Sequence, residues 1–534
     1  MVNIKRRLSL AAACLAALMA LAACQGGGSS SAAITAPAST ASASSGDTTS
    51  ATSSAAPASS ELKPYEIQWY IEGGGQPPET DRIMAAANEK LKSINATLKF
   101  NLITWADWPT KINAMLASGD YYDILFTANW NQFSAQVNQN VFLNLDDLYA
   151  QYGQNIIADC GQAMLDRVKV GGHWYSVPVN KDNFTGYGFV FNQKLLDKYG
   201  WKTDDLKTIE DITPWLEKIK ASEPGILPFA TGTGNNFINN VDTGDITGDG
   251  NVPLGMYDDN RSKQLTFVYD SKWVQYQLGV IRKWYQAGYI DPSSSLSTST
   301  ANADAMTNGT VFCAEEPLKP GKAGEMSNAK ITWTQWLISD YFAHAPFGAM
   351  QSISKNCKDP ARCMMFLNML YGDESKKPDS LLNLLTFGQK DKDYTLDASG
   401  HVQLVANPGW NFNNPWMLGN QLNQMLLTTQ PPTEYQEIAA VNQSCHPTYF
   451  DSFLLNPTPI QTQMAAVSAA VKPLVEPLNV GAVDVMPQIE KIRAAAKAAG
   501  LDQIQAEIQK QLDAAINNNA QPYTQPFNKG GQYN

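Results

Sequence analysis

The sequence predicts an α/β fold built from two lobes. The body of the chain opens with an alternating apolar strand at residues 65–71, a Gly/Pro loop, an amphipathic helix at residues 79–94 and a second strand at residues 96–103. This order of strand, loop, helix and strand is the beginning of an α/β lobe. From residue 62 to residue 534 the chain is longer than one hydrophobic core normally serves, so we expect a second lobe.

The N-terminus has the pattern of an export signal that ends in a lipidated cysteine. A basic start at residues 5–7 precedes an apolar run at residues 8–23, which is short for a membrane-spanning helix. Residues 21–24, Leu-Ala-Ala-Cys, resemble the bacterial lipobox, in which the cysteine is acylated and becomes the first mature residue. An ordinary signal peptide with an incidental cysteine is the alternative. We predict a signal peptide at residues 1–23 and lipidation of Cys24 with palmitate-type chains.

The segment after Cys24 has the composition of a tether. Residues 24–61 are mostly Gly, Ser, Ala, Thr and Pro, which cannot bury a core. We therefore expect a lipid-anchored protein on the extracellular face of the cell membrane. The net charge of −11 argues against a nucleic-acid partner, which would require a basic face.

Several segments in a fixed order resemble family 1 bacterial extracellular solute-binding proteins. A helix that ends in Ala-Ser-Gly-Asp at residues 117–120 is followed by a buried strand at residues 123–126. The resemblance continues at residues 141–149, 174–178, 186–200, where a strand ends in Asn192, 209–220 and 354–371. The tail at residues 450–516 looks like the helical C-terminal module of LplA-like lipoproteins.

The resemblance implies a two-lobed fold of the type II periplasmic-binding-protein kind, with a hinge between the lobes. The implied ranges are 62–185 for the first part of lobe 1, 186–343 for lobe 2, 344–372 for the return to lobe 1, 373–448 for an inter-lobe or lobe 2 segment, and 449–534 for the helical C-terminal module. The implied protein is no enzyme. It traps a carbohydrate between its lobes and delivers it to the permease subunits of an ABC importer.

Within that interpretation we expect an oligosaccharide ligand, a monomer and no cofactor. A receptor for a peptide or another small solute is the first alternative. A surface glycan-degrading enzyme is the second, and it would need two carboxylates that flank a bound sugar. Glu315 and Glu316 are adjacent on a predicted strand and point to opposite faces, so they cannot form such a pair.

No metal-binding constellation is evident in the sequence. The histidines are far apart, and none belongs to a zinc signature: His173, His344, His401 and His446. Residues 242–250 have a calcium-loop spacing at Asp245 and Asp249, but Met256 occupies the position of the closing glutamate. We predict no metal site and interpret this segment as a surface loop.

The predicted ligand site combines aromatic rings with short polar side chains, because a sugar presents C–H faces and hydroxyl edges. One candidate segment, residues 127–131, follows a buried strand, and another, residues 408–421, resembles the subfamily's Trp-x-x-Gly-Asn segment. The predicted ligand-binding residues are Asn129, Trp130, Tyr187, Glu315, Trp410, Trp416 and Asn420. Core packing is the alternative for each, and the choice between Trp410 and Trp416 stays open. Trp69, Trp105 and Trp108 are weaker candidates.

The cysteines of the body leave a pairing question open. They are Cys160, Cys313, Cys357, Cys363 and Cys445, an odd number that cannot all pair. Cys357 and Cys363 are close in sequence. Outside the cell they either close a small disulfide loop or remain free thiols.

Overall fold

The computed structural model describes residues 62–231, 244–247, 251–255, 264–295, 304–328, 330–339, 341–343, 347–412, 414–445 and 453–515. The predicted signal, Cys24 and the tether lie outside these residues. So do His344, His446, Met256 and the calcium-like spacing of residues 242–250, of which only the backbone of a short helix, Gly244–Thr247, and the buried Ile246 and Thr247 are described.

The described strands are β1 (Tyr65–Gly73), β2 (Ala96–Thr104), β3 (Ile124–Thr127), β4 (Val177–Pro178), β5 (Phe184–Asn192), β6 (Leu227–Ala230), β7 (Leu254–Gly255), β8 (Thr266–Phe267), β9 (Val311–Leu318), β10 (Trp333–Leu337), β11 (Phe342–Ala343), β12 (Met350–Ile353), β13 (Tyr394–Leu396) and β14 (Val402–Leu404). The described helices are α1 (Thr80–Leu91), α2 (Trp108–Ser118), α3 (Phe133–Asn138), α4 (Asp146–Tyr152), α5 (Gln154–Arg167), α6 (Gln193–Tyr199), α7 (Thr213–Ser222), α8 (Gly244–Thr247), α9 (Lys272–Gln286), α10 (Lys322–Met326), α11 (Pro360–Asn368), α12 (Leu381–Phe387), α13 (Glu434–Ser444), α14 (Gln461–Asn479), α15 (Val485–Ala498) and α16 (Leu501–Ala515).

The first lobe is built around a five-stranded sheet in the order β2-β1-β3-β12-β4. Strand β1 pairs in parallel with β2 and β3, whereas β12 runs antiparallel to β3 and β4. The β1 strand places Ile67, Trp69 and Ile71 in the core, as its alternating sequence predicts. Because β1, β2 and β3 are parallel, their carboxyl ends meet at one edge of the sheet, where ligands bind in open α/β sheets.

The second lobe contains a sheet in the order β10-β5-β9-β6. Strand β5 is antiparallel to both β9 and β10, and β6 is parallel to β9. Helix α9 packs Trp273, Leu278, Ile281 and Trp284 into the core of this lobe. The prediction of a second α/β core is therefore confirmed.

The chain crosses between the two sheets on neighbouring segments. Strand β5 carries the chain into the second sheet, and the short strand β11 lies antiparallel to its beginning, with Phe342 opposite Thr185 and Ala343 opposite Phe184. Past β11 the chain continues to β12, which belongs to the first sheet. The outgoing and returning segments are thus paired side by side, which is the arrangement of a hinge.

The C-terminal helices belong to the second core. Residues of α14, α15 and α16 are buried together with residues of α9 and β8 in one cluster. Residues 453–456 lead into these helices and contact both lobes, because Leu455 is part of the second core and Leu454 packs against the first. Within the part of the chain that the structure describes, no helix has the length and apolar content needed to cross a bilayer.

Candidate functional site

Three tryptophans lie together at the edge of the first sheet. Trp105 directly follows β2, Trp130 lies in a 3-10 turn after β3, and Trp416 lies in a 3-10 turn at Pro415–Met417. The ring centroids of Trp105 and Trp416 are 6.3 Å apart with planes inclined by 14°, and Trp130 is 6.4 Å from each of them. We call these three residues the tryptophan platform.

The platform keeps aromatic surface open to solvent. Trp105 and Trp130 are each 41% exposed, whereas Phe126 beneath them is fully buried. The Phe126 ring is 5.8 Å from Trp130 and 6.3 Å from Trp416, so a buried ring supports two members of the platform. The Trp130 indole N–H donates to the Gly348 carbonyl at 2.8 Å, which fixes the orientation of the ring. The result is a rigid apolar surface of the kind that binds flat faces of ligands.

The segment that carries Trp416 is packed against the first sheet. A Cβ on Gly73 would lie 2.8 Å from the Leu102 side chain and 3.0 Å from the Asn414 side chain, so a larger residue at the end of β1 would have to displace them. From β12, Gln351 accepts a hydrogen bond from the Trp69 indole at 2.8 Å and donates one to the Met417 carbonyl at 3.0 Å. A buried amide therefore holds the turn that carries Trp416.

Polar groups accompany the platform. Glu72, near the end of β1, is 4% exposed, and its carboxyl Oε2 accepts a hydrogen bond from the Asn131 amide at 3.0 Å. Burial raises the pKa of Glu72 to about 8, so the carboxyl group is mostly protonated at neutral pH. Asn129 Oδ1 is buried and has no hydrogen-bond partner among the described residues. This edge thus offers hydrogen-bond donors and acceptors beside open aromatic faces.

The predicted site residues are divided between this edge and buried positions elsewhere. Asn129, Trp130 and Trp416 lie at the platform. Trp410 is fully buried in the first core, 5.8 Å from the Phe100 ring, and its indole N–H donates to the Leu385 carbonyl at 3.0 Å. Trp410 therefore presents no surface to a ligand in this structure, which corrects its selection as a candidate.

Asn420 is 4% exposed and has structural partners. Its amide donates to Asp159 Oδ2 at 2.7 Å, and its Oδ1 accepts from the Leu422 N–H at 3.0 Å, which caps a short 3-10 turn. These bonds fix the turn beside the crossover, where residue 420 bridges Asn180. Asn420 thus lies in the framework of the first lobe and not at the platform.

The second-lobe candidates are also buried. Tyr187 on β5 is 5% exposed and belongs to the second core. Glu315 on β9 is 2% exposed and lies on the same face of the strand as the buried Cys313. The structure does not bring either residue to the platform.

Two contributors to this edge were not selected from the sequence, and a third was ranked low. Glu72 was missed, Asn131 lay in the candidate segment 127–131 without being named as a ligand-binding residue, and Trp105 was only a weaker candidate. The signal for Asn131 was its position in the same segment as Trp130. Nothing in the sequence around Glu72 distinguishes a buried carboxyl group from an exposed one on a strand.

A buried charged cluster lies at the junction of the lobes. Lys319 follows β9, and its ammonium is 2.7 Å from Glu325 Oε1 and 3.4 Å from Asp182 Oδ1. Burial opposes the charge, but Asp182 and Glu325 raise the pKa of Lys319 above its usual value. Burial, together with repulsion from Glu325, raises the pKa of Glu434 on α13 to about 8. Asp182 lies two residues before the crossover strand β5, so this cluster joins the second lobe to the crossover.

The fold and this edge define a two-lobed solute-binding protein: two α/β cores, paired crossovers and an open apolar surface at the carboxyl ends of parallel strands. The chain matches the family described as bacterial extracellular solute-binding protein over residues 83–380, and it belongs to that family. Residues 450–517 match a second family, a domain of unknown function.

Individual relatives agree with this assignment. A carbohydrate ABC transporter substrate-binding protein of Streptococcus pneumoniae is 26% identical over 487 residues, which cover 86% of this chain and 91% of the relative. The N-glycan transport solute binding protein of the same species, solved in complex with Man1GlcNAc, has a TM-score of 0.72 and 23% identity and covers 84% of this chain and 99% of its own. Its complex with Man5GlcNAc has a TM-score of 0.70 and 23% identity, with 85% and 98% covered. These structures establish the shared fold.

Proposed function

We propose that this protein is the carbohydrate receptor of an ABC importer and that it binds an oligosaccharide at the tryptophan platform. The observation that carries the proposal is the open platform with Glu72 and Asn131 beside it. The named functions of the relatives support the same substrate class, since they include carbohydrate transport and complexes with mannose-containing glycans.

The chemistry of the platform suits a sugar better than a peptide. Pyranose rings present C–H patches that stack on indole faces, and their hydroxyl groups pair with short polar side chains at the rim. A protonated Glu72 donates a hydrogen bond to a sugar oxygen, whereas its ionised form accepts one from a hydroxyl group.

Binding is coupled to delivery through the paired crossovers. A ligand held on the first lobe that also contacts the second favours the closed arrangement, because it gains those contacts only when the lobes meet. The rotation takes place where β5 and β11 run side by side. The closed form is the one that the transmembrane permease subunits recognise.

The proposal includes attachment to the membrane. Acylation of Cys24 holds the protein at the extracellular face, and the tether at residues 24–61 gives the body freedom to reach both solute and permease. The body functions as a monomer.

Titration calorimetry of residues 62–534 against mannose-containing oligosaccharides, other glycans, monosaccharides and a peptide pool tests the proposal. We expect saturable binding of an oligosaccharide and a change in tryptophan fluorescence, with the glycan unaltered by mass spectrometry after incubation. Binding of peptides alone would refute the carbohydrate proposal. Cleavage of the glycan would show that the protein is an enzyme and not a receptor.

A further inference from the structure

A cysteine pair lies on the first lobe, away from the tryptophan platform. Cys357 is in the turn that follows β12, and Cys363 is in the first half of α11. Their Sγ atoms are 3.6 Å apart. A disulfide requires about 2.05 Å between the same atoms. The two sulfurs are thus already in contact, and closing the bond needs a movement of under about 2 Å.

The two thiols differ in access to solvent. Cys357 is half-buried, whereas Cys363 is fully buried. Burial raises the pKa of the Cys363 thiol well above its usual range, and the neighbouring Cys357 and Asp123 raise it further. Cys357 is therefore the thiol that an oxidant reaches first, and Cys363 is the one that completes the bond.

The environment favours a disulfide over a metal ion. Asp123 and both cysteines offer ligand atoms within 4.8 Å of one another, which is a metal-like arrangement. However, Asp123 Oδ1 already accepts hydrogen bonds from the Tyr65 and Tyr121 hydroxyls, each at 2.5 Å, and Oδ2 accepts from the Gln68 N–H at 2.8 Å. A carboxylate with three donors has little capacity left for a cation, which leaves two sulfurs, fewer than the ligand number of a structural zinc site.

We propose that Cys357 and Cys363 form a disulfide in the extracellular environment. The Cys357 thiolate attacks a disulfide-bearing oxidant R–S–S–R and releases one R–SH after protonation. The Cys363 thiolate then attacks Cys357 Sγ and releases the second R–SH. One sulfur–sulfur bond forms in the protein as one breaks in the oxidant, and both cysteine protons end on the two R–SH products.

The bond would join two elements of the first lobe at the end of β12 that is farther from the platform. It ties the turn after β12 to α11, and β12 carries Gln351, which holds the Met417 carbonyl next to Trp416. A seven-residue disulfide loop stabilises chiefly by restricting the unfolded chain. We therefore expect the bond to raise Tm without contributing to ligand contacts.

Differential alkylation of the full chain tests this proposal. Protein oxidised with glutathione disulfide is alkylated before and after reduction, digested and analysed by mass spectrometry. We expect a linked peptide pair that contains Cys357 and Cys363, with Cys313 still reduced. Reduction should lower Tm by roughly 2 °C.

Variants and metal analysis separate the remaining outcomes. Cys357→Ser, at the half-buried position, should abolish both the link and the effect of reduction on Tm, whereas Cys160→Ser should retain both. Alkylation of Cys357 and Cys363 in the oxidised wild type without prior reduction would overturn the proposal. One equivalent of zinc in the purified protein, with both thiols reduced, would overturn it in favour of a metal site.

Discussion

Two aromatic clusters in this molecule have opposite roles. The tryptophan platform of the first lobe has ring centroids 6.3–6.4 Å apart and leaves two rings 41% exposed. In the second lobe, Trp201 stacks on Trp215 at 5.1 Å with planes inclined by 3°, and Tyr199 stacks on Trp201 at 4.7 Å. Trp215 is 9% exposed. We call this second group, Tyr199, Trp201 and Trp215, the second-lobe stack.

The difference lies in whether the ring faces are already occupied. In the second-lobe stack the central Trp201 lies between two rings, Tyr199 and Trp215, and Phe312 closes the edge at 5.6 Å from Trp201. In the platform, Trp105 and Trp130 each keep 41% of their surface exposed to solvent. An abundance of tryptophan therefore does not identify a binding site, whereas unsatisfied aromatic faces beside polar groups do.

The carboxyl groups beside the two clusters differ in the same way. Burial raises the pKa of Glu72, next to the platform, to about 8. Hydrogen bonds from Lys198 and Tyr199 lower the pKa of Glu223, next to the second-lobe stack. Glu223 is hydrogen-bonded to Lys198 and Tyr199. Glu72 has the Asn131 amide at one oxygen and changes its charge near pH 8.

The largest effect should come from the second-lobe stack. Trp215→Ala removes a buried ring that packs on Phe191 and Trp201, and we expect it to lower the free energy of unfolding by about 3–5 kcal/mol. Urea denaturation followed by circular dichroism measures this loss. Glycan affinity at a temperature where the variant is folded should not change. A loss of affinity in the folded variant would mean that the stack is part of the site.

The next effect should come from the platform. Trp416→Ala removes the ring that faces Trp105, and we expect a loss of about 2 kcal/mol or more in glycan binding, which is roughly a 30-fold rise in Kd. Titration calorimetry measures it. Trp201→Ala is the matched control, since it removes a half-buried ring of the other cluster. Equal affinities of the two variants would remove the distinction between the clusters.

The contributions of Glu72 and Glu223 to the stability of the fold should change with pH in opposite directions. Because folding raises the pKa of Glu72 from 4.5 to about 8, its contribution to stability is complete below about pH 4.5 and is lost as the pH rises through 8. Glu72→Gln should remove that decline and leave the variant more stable than the wild type at pH 8.5, by about 1–3 kcal/mol. Urea denaturation from pH 5 to pH 9 tests this.

Glu223→Gln is the control for that experiment. The pKa of Glu223 is lowered, so its contribution is present at high pH and disappears as the pH falls through the folded-state value. The stability of Glu223→Gln should therefore differ in its pH dependence from that of the wild type only at acidic pH. If the free energy of unfolding of Glu72→Gln fell between pH 5 and pH 8.5 as steeply as that of the wild type, the contrast between the two carboxyl groups would not hold.

The smallest effect should come from the orientation of one ring. Trp130→Phe keeps an aromatic face but removes the indole N–H that donates to the Gly348 carbonyl. We expect a rise in Kd of between about two- and tenfold, the value of one hydrogen bond. Titration calorimetry compares this variant with Trp130→Ala, which should bind the glycan clearly more weakly. The comparison separates the effect of ring orientation from the effect of having a ring at all.

Much of the fold could be predicted because its signals are local. The alternating β1 strand, the apolar spacing of α1 and the buried β3 strand each indicate their structure within a few residues. The helical C-terminal module was also predicted. That α14, α15 and α16 complete the core of the second lobe could not be, since the sequence does not say which surface receives an amphipathic helix.

The site was predictable only in part, for the same reason. Trp130 could be selected because it follows a buried strand whose carboxyl end forms the rim. Trp410 and Trp416 lie in one loop of similar composition, and only tertiary packing directs Trp410 to the Leu385 carbonyl and Trp416 to the platform. Glu72 was missed because its burial and its bond with Asn131 arise only from tertiary packing.

The segment that leads to the C-terminal helices is also bonded to the first lobe. Ser134 on α3 donates to the Leu455 carbonyl, and the Asn138 amide donates to Asn456 Oδ1 at 3.2 Å. Both bonds join the first lobe to the strap at residues 453–456, and each contributes about 0.5–1.5 kcal/mol. A change in the angle between the lobes therefore has to carry this strap along or break the two bonds, so the C-terminal module and the first lobe are mechanically linked.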